Sequence, residues 1–141
     1  MRLLKIFFIS LLDSFIISIF FFSFYFPNIS FPPIGDILMN YALLFFVFSI
    51  PVGMFTTFYL DNIDEAFLSI ILTIFISYGI SLVYYSFPLF FGIAPFDVSY
   101  YYFIYIKFTF VPFFVTLFGL ILGIIPGGYI SDVYYAGRKI Y

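Results

Sequence analysis

Two ionisable side chains, Asp13 and Lys107, stand inside long apolar runs of this 141-residue sequence, and they set what chemistry it could perform away from water. A carboxyl in such surroundings can bind a proton, a cation or a hydrogen-bond donor, and ionisable groups inside a bilayer commonly mark such pathways. At the centre of a membrane helix an aspartate costs about 2.5–3.5 kcal/mol. The fifteen Phe, Ile and Leu residues of its own run offset this by roughly 5–9 kcal/mol. Ser10, Ser14 and Ser18 recur every four residues, and at 100° per residue Asp13 lies on the edge of the same stripe. Asp13, Ser10 and Ser14 therefore form a candidate intramembrane polar site. Its simplest role is a carboxyl hydrogen-bonded to hydroxyls across a helix interface. A proton pathway needs a second titratable group, and Lys107 is the one available. On its own helix Lys107 projects away from the face shared by Thr109, Pro112, Thr116, Gly119 and Gly123. It is expected to snorkel to the headgroups beside Tyr100, Tyr101, Tyr102 and Tyr105, an aromatic belt, and only a rotation at Pro112 would turn it toward Asp13.

The other polar positions have packing spacings. Gly119 and Gly123 make a GxxxG motif, and Ser69, Thr73, Ser77 and Ser81 recur every four residues, so the two stripes are expected to knit the helices together. Pro51, with Gly53 nearby, and Pro112 each remove a backbone hydrogen bond and mark candidate hinges. The sequence has no Cys and no His, so zinc, haem and iron–sulfur chemistry lose their usual ligands, and no cofactor or metal is expected. Gly127-Gly128 is not followed by the Lys and Ser or Thr of a phosphate loop. No nucleophile, base and orienting group come together, and the hydrophilic segments are too short for a catalytic domain, so an enzyme is not expected.

These residues are carried by elements of one kind. With 65% apolar, 28% aromatic and 9% charged residues, the chain cannot build a water-soluble surface, and a net charge of −2 without a basic patch argues against nucleic acid. A bilayer core needs about 20 apolar residues per helix. Four such runs occur, over 6–26, 37–60, 66–87 and 102–125. They are separated by Pro27, Pro32, Pro33, Gly35 and Asp36, then by Asp61, Asn62, Asp64 and Glu65, then by Pro88, Gly92, Pro95 and Asp97. The first run is too long for a signal peptide and lacks a small-residue cleavage site. Asp64 and Glu65 suit the first turn of the third helix, with Asp61 or Asn62 as its cap. Residues 126–141 read as a stop, a hinge and a short cytoplasmic tail lying on the membrane surface.

The expected fold is thus an all-α integral membrane four-helix bundle of two helical hairpins in a single domain. Arg2 and Lys5 precede the first span and Arg138 and Lys139 follow the last, which places both termini in the cytoplasm, in the cell membrane. A shift of 61 residues lays Phe26-Pro27 on Phe87-Pro88, Asp36 on Asp97, Tyr41 on Tyr102 and Pro51 on Pro112, as an internal duplication would. Asn28-Ile29-Ser30 matches a glycosylation sequon in the first outer loop, and Asn40 lies near the outer end of the second helix. The expected role is a structural or accessory subunit of a membrane complex, with lipid and other membrane subunits or a second copy as partners. The alternative is a small transporter or channel for ions or small solutes that uses Asp13.

Overall fold

A computed structural model describes residues 2–25, 41–60, 62–92 and 97–138. The 27–36 loop with its sequon, Asn40, Asp61, Pro95 and Lys139 lie outside these described residues. Four helices account for nearly all of the rest: α1 Arg2–Tyr25, α2 Tyr41–Leu60, α3 Ile63–Phe90 and α4 Val98–Arg138. All four are long and apolar enough to cross a membrane. With no water in a bilayer core, a helix is the form that satisfies every backbone group within one segment. Phe8, Phe75, Phe90 and Ile125 are among the large apolar side chains exposed on the outside. Asn62 caps α3, its side chain accepting the Asp64 backbone N–H at 3.0 Å. The helix passes through Pro88 and ends where Gly92 turns with φ +65°, its N–H donating to Leu89 O at 3.1 Å.

Several of the expected boundaries move: α1 starts at Arg2, α3 runs Ile63–Phe90 and α4 starts at Val98. The fourth helix does not stop at 125. It continues through Pro126, Gly127 and Gly128 to Arg138, a length of 41 residues, or about 61 Å. Residues 126–138 are thus not a hinged surface segment. Gly127 serves as a contact residue: a Cβ there would come within 2.7 Å of Met54 O and 3.0 Å of Thr57 Cβ. A glycine that disfavours a helix in water is retained where a neighbouring backbone needs the space. Tyr134 and Tyr135 extend the contact through ring packing with Phe58 at 5.5 and 6.5 Å.

The closest packing also joins helices that are not consecutive. Ser10 hydroxyl and Ser69 hydroxyl are 2.8 Å apart, and Ser14 donates to Thr73 O at 3.0 Å; these partners are 59 residues apart in each case. A constant separation along two helices means that α1 and α3 run side by side in the same direction. The pair α2 and α4 is likewise parallel: Gly119 faces Ser49, Gly123 faces Gly53 and Gly127 faces Thr57, each pair 70 residues apart. Among the described residues α2 also packs on α3, whereas α1 and α4 do not pack against each other. The cross-section is a rhombus with α2 and α3 on its short diagonal. Its main core gathers Ile17, Phe21, Phe45, Ile70, Ile74 and Leu120.

Candidate functional site

Asp13 sits at the α1–α2 contact with none of its surface exposed. Thr56 of α2 places its hydroxyl 2.7 Å from Asp13 Oδ2 and 2.8 Å from Val52 O. A threonine hydroxyl has one proton to donate, so one hydroxyl faces two acceptors. Asp13 Oδ1 is buried with no hydrogen-bond partner. Such an atom carries an uncompensated desolvation cost of about 1–3 kcal/mol. Beside it, an open-sided recess of about 190 Å³ is lined by Asp13 and Ile16 of α1 and by Pro51, Val52 and Phe55 of α2. Pro51 has no N–H, so the carbonyl of Val47, one turn earlier, loses its helical donor.

Ser10 and Ser14 turn away from Asp13 toward α3. Ser10 donates to Ile6 O at 2.8 Å and approaches Ser69 O at 3.1 Å, while Thr73 and Ser77 reach Ser10 O and Ser14 O at 3.4 Å. The hydroxyls of Ser69, Thr73 and Ser77 are fully or almost fully buried along this seam. The polar stripe of α1 therefore divides, with serines on α3 and the carboxyl on α2.

Gly119 and Gly123 do not meet the serine stripe of α3, as their sequence spacing suggested. They lie on α2. A Cβ on Gly119 would come within 2.7 Å of Phe46 O, and one on Gly123 within 2.8 Å of Met54 N. Ser49, Gly53 and Thr57 complete the ladder from the α2 side. The physical reason is size: glycines let the α4 backbone approach that of α2, whereas the serine and threonine hydroxyls of α3 bond to hydroxyls and carbonyls of α1. Pro112 is buried and Pro51 exposed, and α2 and α4 run unbroken through them.

The expected tyrosine belt is largely internal. Tyr105 is fully buried, its hydroxyl 2.6 Å from that of Ser81 and donating to Tyr78 O at 3.0 Å. Tyr101 donates to Tyr85 O at 2.7 Å, and Tyr102 meets Ser86 at 3.1 Å. Tyr100 alone of the four is exposed. Tyr101, Tyr102 and Tyr105 join α4 to α3. Lys107 is exposed on α4, which does not pack on α1, so an Asp13–Lys107 pair is absent among the described residues. At the end of the bundle that holds Leu60 and Ile63, a cleft of about 470 Å³ opens between the α2–α3 turn and α4. Asn62, Ser131, Asp132, Ile124 and Ile125 are among the residues that line it. Arg2 and Glu65 make a loose ion pair of 3.9 Å at the same end.

Thr56, Ser49, Thr57 and Gly127 are the contact residues that spacing alone did not bring forward. A signal for two of them was present, because Ser49 and Thr57 recur with Gly53 every four residues. Among the described residues no group of three His, Cys, Asp or Glu side chains could hold a metal ion. The fold defines an all-helical protein of four membrane-length apolar helices joined by hydroxyl, glycine and tyrosine seams. Comparison with protein families, with characterised proteins and with solved structures finds no match.

Proposed function

We propose that this chain is a structural or accessory subunit of a membrane complex, crossing the cell membrane four times with both ends in the cytoplasm. The observation that carries the reading is how the buried polar groups are used. Serine and threonine hydroxyls bond to carbonyls of their own or the neighbouring helix, and glycines bring α2 and α4 into backbone contact. Little of this polarity is left to line a path for a solute. Arg2, Lys5, Arg138 and Lys139 support the orientation, as does the absence of Lys and Arg from 27–36 and 92–101. Lipid covers the apolar exterior, and the short hydrophilic segments offer no place for an enzyme's active site.

A second reading, a small transporter or channel for ions or small solutes, is favoured by one observation, the unpartnered Asp13 Oδ1 beside Pro51. One pair of measurements separates the two. Native mass spectrometry after gentle extraction from the source membranes is expected to show other chains in fixed stoichiometry, and a lone monomer would overturn the accessory reading. Asp13→Asn keeps an acceptor oxygen for the Thr56 hydroxyl, so it is expected to leave assembly intact, whereas an Asp13-dependent flux in reconstituted vesicles would establish transport.

A further inference from the structure

We propose that the recess between α1 and α2 receives a transmembrane helix of a different protein, one that brings a lysine, arginine or amide side chain to Asp13 Oδ1. The proposal rests on the accessory-subunit reading and names the contact through which that assembly forms.

The chemistry of the recess selects a donor. Its polar feature is an acceptor, Asp13 Oδ1, fully buried and unpartnered. Ile16, Val52 and Phe55 supply the apolar remainder of the wall. Among the described residues the single ion pair is that of Arg2 with Glu65, and none of the described lysines and arginines pairs with Asp13. A volume of about 190 Å³ is roughly six times the share of one water in the liquid, which suits the end of a long side chain. Leu12, Phe15, Ile19 and Phe48 are exposed on the same two helices and offer an apolar face for the helix that carries it.

Depth selects a protein over a lipid. Asp13 lies eleven residues beyond Arg2 on α1, about 16 Å along the axis and so near the middle of a core about 30 Å thick. Lipid donors are confined to the headgroups, and only another membrane-spanning segment carries one to this level. The same geometry argues against a second copy. In the α2–α4 register Thr56 stands opposite Pro126, and Lys107 is nineteen residues from there, about 28 Å along α4. A parallel copy would bring Lys107 to the wrong depth, and its serines are engaged on α3.

The test uses the full chain in its native membranes, with a photoreactive phenylalanine derivative replacing Ile16 or Phe55, or Phe118 on α4 as the control position. After irradiation, the adduct peptides are sequenced by mass spectrometry. The expected result is an adduct from positions 16 and 55, and not from 118, with a membrane-spanning segment of another protein that has Lys, Arg, Asn or Gln within one turn of the attachment point. Its yield should fall about tenfold in Asp13→Leu and in Asp13→Ser, the loss expected for a charge-assisted hydrogen bond. A Ser10→Cys/Ser69→Cys disulfide, formed across a 2.8 Å hydroxyl pair, reports whether α1 remains on α3 in each variant. The loss is read in whichever variant retains the disulfide. Adducts only with lipid, adducts only with a second copy, or a yield indifferent to Asp13 overturn the proposal. In the last case the accessory reading stands without it, whereas absence of any protein adduct together with a lone monomer on native mass spectrometry removes both.

Discussion

Gly123→Ala adds a single methyl group where the α2–α4 contact has no room for it. Its Cβ would meet Ile50 O, with Met54 N at 2.8 Å and Gly53 Cα at 2.9 Å, all of them backbone atoms. No rotamer change relieves such a contact. To regain an ordinary separation of 3.4 Å, the two helix backbones must part by more than about half an ångström, which also loosens Gly119 on Ser49 and Gly127 on Thr57. Overpacking of this kind costs about 1–3 kcal/mol, and the rigid partner puts this site at the upper end. The better helix propensity of alanine returns at most about 1 kcal/mol. The expected net loss is therefore about 2 kcal/mol. Gly79→Ala is the matched control, because a Cβ there meets nothing within 4 Å and the propensity gain should appear alone, about 0.5–1 kcal/mol of added stability. Reversible unfolding in bicelles, followed by a tertiary-contact probe, measures both. Equal stabilities for the two variants would refute the backbone-contact reading of the Gly119–Gly123–Gly127 ladder.

The α1–α3 seam makes a different prediction: Ser10→Ala and Ser69→Ala should be coupled in a double-mutant cycle by about 0.6 kcal/mol and by no more than about 1.7 kcal/mol, the range for hydrogen bonds between membrane helices. Strict additivity would mean that the 2.8 Å hydroxyl pair contributes nothing. Tyr105→Phe removes a buried hydroxyl shared with Ser81 and Tyr78 O and should cost about 1 kcal/mol in the same unfolding assay. Tyr129→Phe, on an exposed side chain, should stay within about 0.5 kcal/mol; a Tyr105 variant as mild as that would return the residue to a lipid-facing role.

The number of helices was legible because apolar run length is a direct consequence of bilayer thickness, and the buried side of α4 followed from its small residues. Thr109, Thr116, Gly119 and Gly123 are all buried while Lys107 is exposed, as their projection requires. Partnership was harder to read. Ser69, Thr73 and Ser77 and the glycines of α4 both show a four-residue period, and period alone does not say which stripe faces which. Asp13 stood out as a charge in an apolar run, but Thr56 did not, because a threonine in a membrane helix satisfies itself on its own i−4 carbonyl and leaves no trace in the pattern. The end of α4 was misplaced for a related reason. Pro126-Gly127-Gly128 terminates a helix in water, yet beside Met54 and Thr57 the glycine is what permits contact.

The apparent 61-residue duplication can be judged on the same geometry. A two-fold axis along the membrane normal would put residues i and i+61 at one depth. The α1–α3 seam satisfies this, since its cross-helix hydroxyl bonds join residues 59 and 63 apart. The α2–α4 seam does not, because its facing pairs are 70 apart, a slip of nine residues or about 14 Å. Pro51 is then opposite Ile121 and not Pro112. Side-chain size explains the slip. In the 61 register Ser49, Gly53 and Thr57 would face Phe110, Phe114 and Phe118, three rings that forbid backbone approach, whereas in the 70 register they face three glycines. Whatever the origin of the matching prolines and aspartates, the close approach of α2 and α4 is determined by where α4 carries its glycines.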